Sequence, residues 1–291
     1  MTLQEVYKKG TEMLREADIE NPSVDAFYLL EYAAGIDKNK YLMFKDQQVK
    51  KINSDAYFEL IKKRMTRIPY QYIINRADFA GLTFEVNENV LIPRLDTEVL
   101  FEHALRHLKA QAYVLDLCCG SGALGIALKR YRPDIHVIMS DISHAALDVA
   151  GRNIEHQHLE IAGQGSGSDL DFGIRLIEGD LFDALPEDIG QFDLIVSNPP
   201  YVSDSEYESL MPEVKNHEPK LALTAGADGL DIYRRIAADV KRYLKAGGYL
   251  LLEIGCSQAA AVTELLLAAG FSDIKVEKDM AGLDRVVIAT A

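Results

Sequence analysis

The chain has 291 residues, enough for one or two domains, and its 48% hydrophobic and 26% charged residues are an ordinary globular balance. Its net charge of −14 argues against a protein that binds long nucleic acids through their phosphates. No stretch approaches the roughly 20 apolar residues of a membrane span, and the first residues lack the basic start and apolar core of a signal peptide.

The three cysteines are Cys118, Cys119 and Cys256, and they form neither an even disulfide framework nor a metal-ligand spacing. We therefore expect a reduced, cytoplasmic setting, no bound metal and no membrane contact. The charge is uneven, because residues 1–80 carry 13 basic and 12 acidic side chains and the acidic excess lies in the remainder. An acidic body suits a cationic cofactor.

The first segment, residues 1–75, is predicted to form a small helical domain. Thr2 is a candidate N-cap, and Glu5 stands three residues later as its capping-box partner. Apolar residues then recur at helical spacing, and Gly35 is a candidate stop for the second helix. Two more helices are predicted after the first, at 25–34 and 55–67.

A basic turn stands at the end of the third predicted helix and contains Lys62, Lys63, Arg64 and Arg67. We interpret it as a solvated face that is favourable to the helix dipole. A docking site for a macromolecule is the alternative. Residues 69–74 combine aromatic and β-branched side chains, which predicts the start of a strand.

A small β-hairpin is predicted over residues 78–86, turning at its central glycine. It divides the chain into the helical domain, a linker at 76–93 and a larger domain at 94–291. Arg94 stands just ahead of a helix predicted over 97–109. An arginine there can order a loop or hold a carboxylate, and a surface salt bridge is the alternative.

From residue 113 onward, short apolar runs alternate with helical patterns, which is typical of a parallel α/β sheet. The predicted strands are 113–117, 135–140, 174–178, 192–197, 248–254, 273–277 and 285–290. The predicted helices are 122–130, 143–156, 229–245 and 257–269. Residues 163–173 form a Gly/Ser/Asp tract, which we interpret as a surface loop.

A glycine-rich turn follows the first strand of this sheet and opens a helix. Gly120, Gly122 and Gly125 fit the G-x-G-x-x-G pattern, in which glycines let the backbone turn and approach a ligand closely. The pattern alone is weak, and its place between a strand and a helix strengthens it. Asp141 ends the next strand, where an acid can accept hydrogen bonds from both ribose hydroxyls of a nucleoside. Ser143 is the better N-cap for the following helix, which leaves Asp141 free.

Two further pairs of residues belong to the nucleoside side of this predicted site. Asp180 follows the third strand and can contact an adenine amino group, with Leu181 as an apolar wall; a plain turn is the alternative. Cys118 and Cys119 precede the glycine turn, and no basic residue stands beside them to activate a thiolate. We interpret both cysteines as small packing residues beneath the turn rather than a redox pair.

A proline-stiffened corner, Asn198-Pro199-Pro200-Tyr201, follows the apolar run 192–196. The prolines end the strand and bias the preceding residues toward extended backbone. The carboxyl end of a parallel strand is where open α/β sheets bind ligands. The Asn198 side chain and the carbonyls of Asn198 and Pro199 can accept the N–H bonds of a planar NH₂ group, and the Tyr201 ring can cover its face. A stiff loop with a core tyrosine is the alternative.

This corner resembles the signature of methyltransferases that act on planar nitrogens, and nearly the whole chain is similar to the peptide chain release factor glutamine methyltransferases. The other matching segments are Arg67–Ile73, Val90–Arg94 with Thr97 and Glu98, Asp116–Gly122, Asp141–Ser143 with Asn153, Glu218 and Pro219 with Ala222 and Leu223, and Asp279–Gly282 with Asp284 and Arg285. The corner is shared by several methyltransferase classes. The segment Ile92-Pro93-Arg94 after a helical domain is far more particular to this family.

The resemblance implies a class I methyltransferase fold, which is a Rossmann-like, doubly wound α/β sheet of seven strands with the final strand inserted antiparallel. The helical domain at 1–75 would then recognise the substrate. The implied cofactor is S-adenosylmethionine. The implied partners are bacterial release factors 1 and 2, methylated on the glutamine of a Gly-Gly-Gln loop. We expect a monomer that makes no direct contact with nucleic acid.

The residues and the resemblance together predict three groups of site residues. The predicted catalytic residues are Asn198, Pro199 and Tyr201. The predicted cofactor-binding residues are Cys118, Cys119, Gly120, Ser121, Gly122, Asp141, Asp180, Leu181 and Asn198. The predicted substrate-binding residues are Asn198, Pro199, Pro200, Tyr201 and Arg94. Cys119 stands where threonine is common in the family, which puts a hydroxyl contact to the cofactor in doubt, and Leu95-Asp96 replaces a more usual Pro-Glu.

Three other functions are compatible with parts of this pattern. A DNA-adenine or RNA-guanine methyltransferase would use the same corner on a flipped base, but it should carry a basic, aromatic-studded recognition domain, whereas residues 1–80 are nearly neutral. A nicotinamide-dependent oxidoreductase would use the glycine turn and leaves the corner unexplained. A non-catalytic partner of the translation apparatus would tolerate the loss of Asp141 and Asn198.

Overall fold

The computed structural model of the chain describes residues 1–48, 50–161 and 173–291. Its residues divide into two units, of which the first is Met1–Arg76 with Met211–His217 and the second is Ala77–Leu210 with Glu218–Ala291. The tract at 163–173 that we predict to be a loop lies, apart from its last residue, outside the described part of the chain.

The first unit is built from helices around a small apolar core. Its helices are α1 (Leu3–Glu16), α2 (Pro22–Ala34), α3 (Lys38–Phe44), α4 (Lys51–Met65), α5 (Tyr70–Ile74) and a later short helix, α10 (Pro212–His217). The predicted capping box is confirmed, because the Thr2 side chain accepts from the Glu5 amide and the Glu5 side chain accepts from the Thr2 amide. Gly35 ends α2 in the left-handed conformation, with φ +63°. The third predicted helix, at 55–67, is shifted toward its N-terminus as α4.

The prediction of a strand at 69–74 is wrong, because these residues form helix α5. The Pro69 carbonyl accepts the amides of Tyr72 and Ile73, and Asn75 ends the turn at φ +52°. The side chains of Tyr70, Ile73 and Ile74 pack against the apolar core of the helical unit. Packing against that core therefore overrides the strand preference of aromatic and β-branched residues.

The basic turn at the end of α4 is only partly solvated. Lys62 and Lys63 are exposed, as we predict from the sequence. Arg64 is 5% exposed and pairs with two carboxylates, Asp25 at 2.6 Å and Glu213 at 3.0 Å. The interpretation of the whole turn as a solvated face is wrong for Arg64, which is a buried link between α2, α4 and α10.

Tyr57 is a fully buried residue of α4 whose hydroxyl has no hydrogen-bond partner in the described part of the chain. Because an unpaired buried hydroxyl costs about 1–3 kcal/mol, we expect Tyr57→Phe to raise the free energy of unfolding by roughly 1 kcal/mol. Urea unfolding of the two proteins measures the difference. A lower stability of the variant would show that the hydroxyl is hydrogen-bonded in the folded protein.

The second unit begins with the predicted hairpin, β1 (Ala77–Phe79) and β2 (Leu82–Phe84), which pair antiparallel. Its large sheet consists of β3 (Tyr113–Leu117), β4 (His136–Asp141), β5 (Ile174–Glu178), β6 (Phe192–Ser197), β7 (Leu244–Glu253), β8 (Asp273–Lys278) and β9 (Asp284–Thr290). Its α-helices are α6 (Thr97–His107), α7 (Ala123–Tyr131), α8 (His144–His156), α9 (Asp204–Glu208), α11 (Asp231–Tyr243) and α12 (Ala259–Ala268). No helix in the residues described combines the length and apolar character needed to cross a bilayer.

The order of strands in the sheet is β5-β4-β3-β6-β7-β9-β8, with β9 antiparallel to both of its neighbours. The predicted seven-stranded sheet with an inserted antiparallel strand is confirmed. Buried apolar residues cover both faces of the sheet in two separate clusters. The chain leaves β3 toward β4 on one side and returns as β6 on the other, which makes the carboxyl ends of β3 and β6 the topological switch point. The glycine turn and the proline corner follow these two ends.

Candidate active site

The glycine turn between β3 and α7 depends on backbone conformations that glycine adopts without strain. Gly120 has φ +54° and Gly122 has φ +77°. The Asp116 carboxylate, buried beneath the turn, accepts the Gly125 amide at 2.9 Å, and burial raises the pKa of Asp116 to about 8. A Cβ on Gly122 would lie 2.9 Å from Ile126, whereas one on Gly120 would meet nothing within 4 Å. The turn is therefore packed against the protein below and open above Gly120.

The adjacent cysteines behave as packing residues, as interpreted from the sequence. Both are free thiols, with Cys119 buried and Cys118 half-buried. Burial, reinforced by the nearby Asp141 charge, raises the pKa of Cys118 to about 12 and that of Cys119 well above its usual value. Neither is a reactive thiolate at neutral pH.

The Asp141 carboxylate at the end of β4 is held by the turn on either side of it. Its Oδ2 accepts the Gly120 amide at 2.8 Å and its Oδ1 accepts the Ser143 amide at 2.9 Å. Ser143 caps α8 by accepting the Ala146 amide, as predicted. These contacts fix the carboxylate at the mouth of the glycine turn, and each oxygen keeps a lone pair for another donor.

On the far side of this region, Asp180 forms an ion pair that is not evident from the sequence. Its carboxylate lies 2.9 Å from the Arg235 guanidinium on α11, with both side chains partly exposed. The neighbouring Leu181 is buried, with φ +50°. The pair restricts the directions in which the Asp180 carboxylate can meet a ligand.

The proline corner begins where the sheet ladder stops. The last paired residue of β6 is Ser197, whose partners are Leu117 on β3 and Leu252 on β7. Asn198 and Pro199 lie beyond that pair, so the ladder does not use their carbonyl groups. The corner is fixed from behind, because the amide of Tyr201 donates to the Leu223 carbonyl at 3.1 Å.

The Asn198 side chain has a defined orientation. Its Nδ2 donates to the Thr97 hydroxyl oxygen at 3.2 Å, and Thr97 is a buried residue at the start of α6. The donor end of the amide is therefore engaged by the protein, and the carbonyl end, Oδ1, is the one available to a ligand. Nearby, the Tyr201 hydroxyl points to the buried Glu253 carboxylate at 3.5 Å.

Thr97 and Glu253 take part in this site although neither is among the predicted site residues. Glu253 ends an otherwise apolar run, 248–252, on β7. A single acid at the carboxyl end of a buried strand is a signal of function, since unpaired charges are costly to bury. That signal identifies Glu253 from the sequence. Thr97 belongs to a segment that carries the family resemblance, but only as the predicted start of a helix, with no site role.

One cavity of about 230 Å³ lies over these carboxyl ends, entirely within the second unit. The predicted site residues among its lining are Cys118, Cys119, Gly120, Ser121, Asp141, Asp180, Leu181, Asn198 and Pro200. Four predicted residues, Gly122, Pro199, Tyr201 and Arg94, are not among the lining. Arg94 instead pairs with the buried Glu218 carboxylate, which also faces the Ile92 amide.

Comparison with known proteins identifies the family. The family described as PrmC N-terminal domain matches residues 5–74, and the methyltransferase small domain matches residues 94–214. A release factor glutamine methyltransferase of Clostridium acetobutylicum is 36% identical over 99% of this chain and 98% of its own. The chain belongs to the release factor glutamine methyltransferase family. A relative of the same name from Geobacter sulfurreducens is 37% identical over 98% of this chain and 95% of its own.

This member of the release factor glutamine methyltransferase family shares its fold with a solved structure. A methyltransferase from Pyrococcus furiosus is similar with a TM-score of 0.54 and 20% identity, covering 79% of this chain and 98% of that one. At that identity the similarity concerns the fold alone. The predicted class I methyltransferase architecture is confirmed.

S-adenosylmethionine is the methyl donor of this family, and the cavity residues fit it. Open space above Gly120 leaves room for a ligand against the backbone, and the Asp141 carboxylate offers acceptors beside it. The apolar side chain of Leu181 supplies a wall for a planar ring. When bound, the donor supplies a methyl group that its sulfonium already activates.

We expect Asp141→Asn to weaken the affinity of the protein for S-adenosylhomocysteine roughly 10-fold or more. The variant loses a charge-assisted hydrogen bond to the ligand, and such a bond contributes about 1.5–3 kcal/mol. Asparagine keeps the shape and one acceptor but loses the charge. Calorimetric titration measures the dissociation constant. The control is Asp148→Asn, which neutralises an exposed acid on α8. Equal affinities for the Asp141 variant and the control would remove Asp141 from the donor site.

Proposed function

We propose that this protein transfers a methyl group from S-adenosylmethionine to the side-chain amide nitrogen of the glutamine in the Gly-Gly-Gln motif of bacterial release factors 1 and 2. The observation that carries the proposal is the similarity over 99% of the chain to a relative named for this activity. The orientation of the Asn198 amide supports it, because a carboxamide substrate needs an acceptor at that place.

The chemical difficulty lies in the amide nitrogen, whose lone pair is delocalised into its carbonyl group. The protein must therefore align this nitrogen with the methyl group and exclude water. Asn198 Oδ1 and the Pro199 carbonyl would accept the two N–H bonds of the substrate amide. Two acceptors fix the amide plane and favour the positive charge that develops on nitrogen.

The remaining corner residues would limit the freedom of the substrate amide. The Tyr201 ring would flank the amide plane, and its hydroxyl is directed to Glu253 rather than to the substrate. Pro200 lines the cavity and removes a backbone donor that would compete for acceptors. The methylated nitrogen is strongly acidic, so proton loss to water suffices and no dedicated base is assigned.

Recognition of the release factor is assigned to the helical segment at 1–75, with the linker at 76–93 and the methyltransferase domain at 94–291. The segment carries nearly balanced charge, which suits a protein partner better than nucleic acid. In this proposal the enzyme acts as a monomer in the cytoplasm, where release factors work, and it makes no direct contact with nucleic acid.

The test is methyl transfer from S-adenosylmethionine to purified release factor, analysed by mass spectrometry of the peptide that contains the Gly-Gly-Gln motif. One added methyl group on the glutamine is expected. A release factor with alanine in place of that glutamine is the control. Transfer to adenine or guanine in nucleic acid, with no transfer to release factor, would replace the proposal with the nucleic-acid alternative.

A further inference from the structure

Glu253 is a buried carboxylate that has no role in the proposed methyl transfer itself. It ends β7, is 1% exposed, and its Oε2 has no hydrogen-bond partner in the described part of the chain. A buried charge with an unsatisfied oxygen is costly to fold. Its neighbours on the strand are apolar, so packing alone would favour a hydrophobic residue here.

The contacts that Glu253 does make lead to the substrate side of the site. The Thr97 hydroxyl lies close enough to the Glu253 carboxylate to lower its pKa by hydrogen bonding. The same hydroxyl oxygen accepts Asn198 Nδ2 at 3.2 Å. The Tyr201 hydroxyl reaches Glu253 Oε1 at 3.5 Å. A chain of carboxylate, hydroxyl and carboxamide thus connects a buried charge to the predicted acceptor for the substrate.

The direction of this chain follows from counting protons. An ionised carboxylate can only accept, so a hydrogen bond between Thr97 and Glu253 uses the single hydroxyl proton of Thr97. The Thr97 oxygen can then only accept from Asn198, which turns Nδ2 toward Thr97 and Oδ1 toward the cavity. If the carboxylate were neutral, Thr97 could donate to Asn198 Oδ1 instead, and the amide could present its NH₂ group to the substrate NH₂ group.

We infer that Glu253 is a positioning residue that acts through Thr97 to hold the carbonyl end of the Asn198 side chain toward the substrate amide. The inference rests on the proposed function and extends it to selection of the substrate. With Oδ1 fixed toward the cavity, the site favours planar groups that present N–H donors. It disfavours groups that present only acceptors at the same place.

Charges from several elements face Glu253. The Arg285 charge on β9 attracts the Glu253 carboxylate, and the Asp96 charge before α6 repels it. The Tyr201 hydroxyl faces the carboxylate, and the Tyr233 hydroxyl donates to the Glu253 backbone carbonyl at 2.8 Å. Arg285 is already paired with Asp96 and with Asp279. Burial raises the pKa of Glu253 to about 7, against the opposing effects of the Thr97 hydrogen bond and the Arg285 charge.

The raised pKa sets the sign of two pH effects. A carboxyl with a higher pKa in the folded state adds stability that is fully present below its unfolded pKa of about 4.3 and is lost as the pH rises through about 7. The folded protein is therefore less stable when Glu253 is ionised than when it is neutral, although the ionised form is the one that orients Asn198. Methyl transfer should fall as the pH decreases through about 7, while stability rises.

The experiment compares Thr97→Val, Thr97→Ser and Glu253→Gln in the full chain. Valine keeps the shape of threonine without the hydroxyl, and we expect kcat to fall roughly 10-fold or more, as for the loss of a hydrogen bond linked to a charge. Affinity for S-adenosylhomocysteine should stay unchanged. Serine retains the hydroxyl and should restore most of the rate. Glu253→Gln should remove the decline of kcat below about pH 7 and should be no less stable than wild type at about pH 8.

A readout independent of turnover is hydrogen exchange of the Asn198 side-chain NH₂ group, followed by NMR at about pH 8. Exchange should be slow in wild type and Thr97→Ser and faster in Thr97→Val. Wild-type kcat and slow exchange in Thr97→Val would overturn the inference, as would a Thr97→Ser variant as slow as Thr97→Val. Failure of wild type to methylate release factor would instead contradict the proposed function, and the exchange measurement would still judge the orientation of Asn198.

Discussion

Replacing Arg64 by methionine is expected to lower the free energy of unfolding of the helical unit by about 3–5 kcal/mol, because removal of one partner from a buried ion pair leaves a charge unpaired. Arg64 is 5% exposed and Asp25 is 6% exposed. Arg64 also donates to the Ile68 carbonyl. Methionine can fill much of the space but can donate to none of these acceptors. Hydrogen exchange of the backbone amides in α2 and α4 of the full chain measures this loss of stability in the helical unit.

The effect of Arg64→Met should depend on pH through Asp25. Burial raises the pKa of Asp25 even with the guanidinium of Arg64 beside it. Loss of Arg64 should raise this pKa further, since the opposing hydrogen bond and charge disappear. A carboxyl pKa raised by folding gives stability that is present below the unfolded value of about 3.9 and lost as the pH rises. The variant should therefore lose more stability at about pH 8 than at about pH 5.

Two further variants separate charge burial from other causes. Lys62→Met removes a basic residue from the same helix, but Lys62 is exposed and pairs with the exposed Glu59, so little change is expected. Arg64→Met combined with Asp25→Leu should recover most of the lost stability, because apolar replacement of both partners is often neutral. Glu213 keeps Arg67 as a partner in that double variant. A double variant less stable than Arg64→Met alone would contradict the account.

The sheet could be predicted from the sequence because its information is local. The central strands β3, β4 and β6 are short apolar runs bounded by turn residues, and the glycine turn and proline corner follow the runs at 113–117 and 192–197 directly. The carboxyl ends of adjacent parallel strands lie at the same edge of a sheet, so these two local patterns predict a shared site from the sequence alone. The reversal of β9 came from the family resemblance rather than from periodicity.

The errors have a common cause, which is that the deciding partners lie far away in the sequence. Arg64 reads as one of four basic residues in a solvated turn, and its partners Asp25 and Glu213 are 39 and 149 residues distant. Residues 69–74 have strand-like composition, but their side chains complete the core of a helical unit. Periodicity describes which residues are apolar and does not report which other segment will cover them.

The same limitation explains why Thr97 and Glu253 are absent from the predicted site residues. Thr97 lies on α6, Glu253 lies on β7, and Asn198 and Tyr201 share the proline corner, so these residues meet only after the sheet has formed. Asn198 and Tyr201 were accessible to sequence analysis because two prolines mark their corner. Of the supporting residues, Glu253 is marked as an isolated acid at the end of β7, and Thr97 is marked only by its place in a segment that resembles the family.

Asn198→Ala is expected to reduce methyl transfer roughly 30- to 150-fold, which corresponds to about 2–3 kcal/mol in the transition state for losing one oriented polar contact. The loss should fall on kcat, since the contact is proposed to align the substrate nitrogen rather than to bind the donor. Single-turnover transfer to release factor at saturating S-adenosylmethionine measures it. Calorimetric titration with S-adenosylhomocysteine tests whether the donor site is intact.

The matched control is Gln191→Ala, which removes a side-chain amide at the other end of the same strand. Gln191 stands just before β6 and donates to the Arg242 carbonyl, whereas Asn198 follows the carboxyl end of β6. If removal of a side-chain amide next to β6 impaired folding, both variants would lose activity. If Asn198 acts in catalysis, only Asn198→Ala loses activity. Wild-type transfer by Asn198→Ala would defeat the acceptor role, and with it the reason for a buried carboxylate behind Thr97.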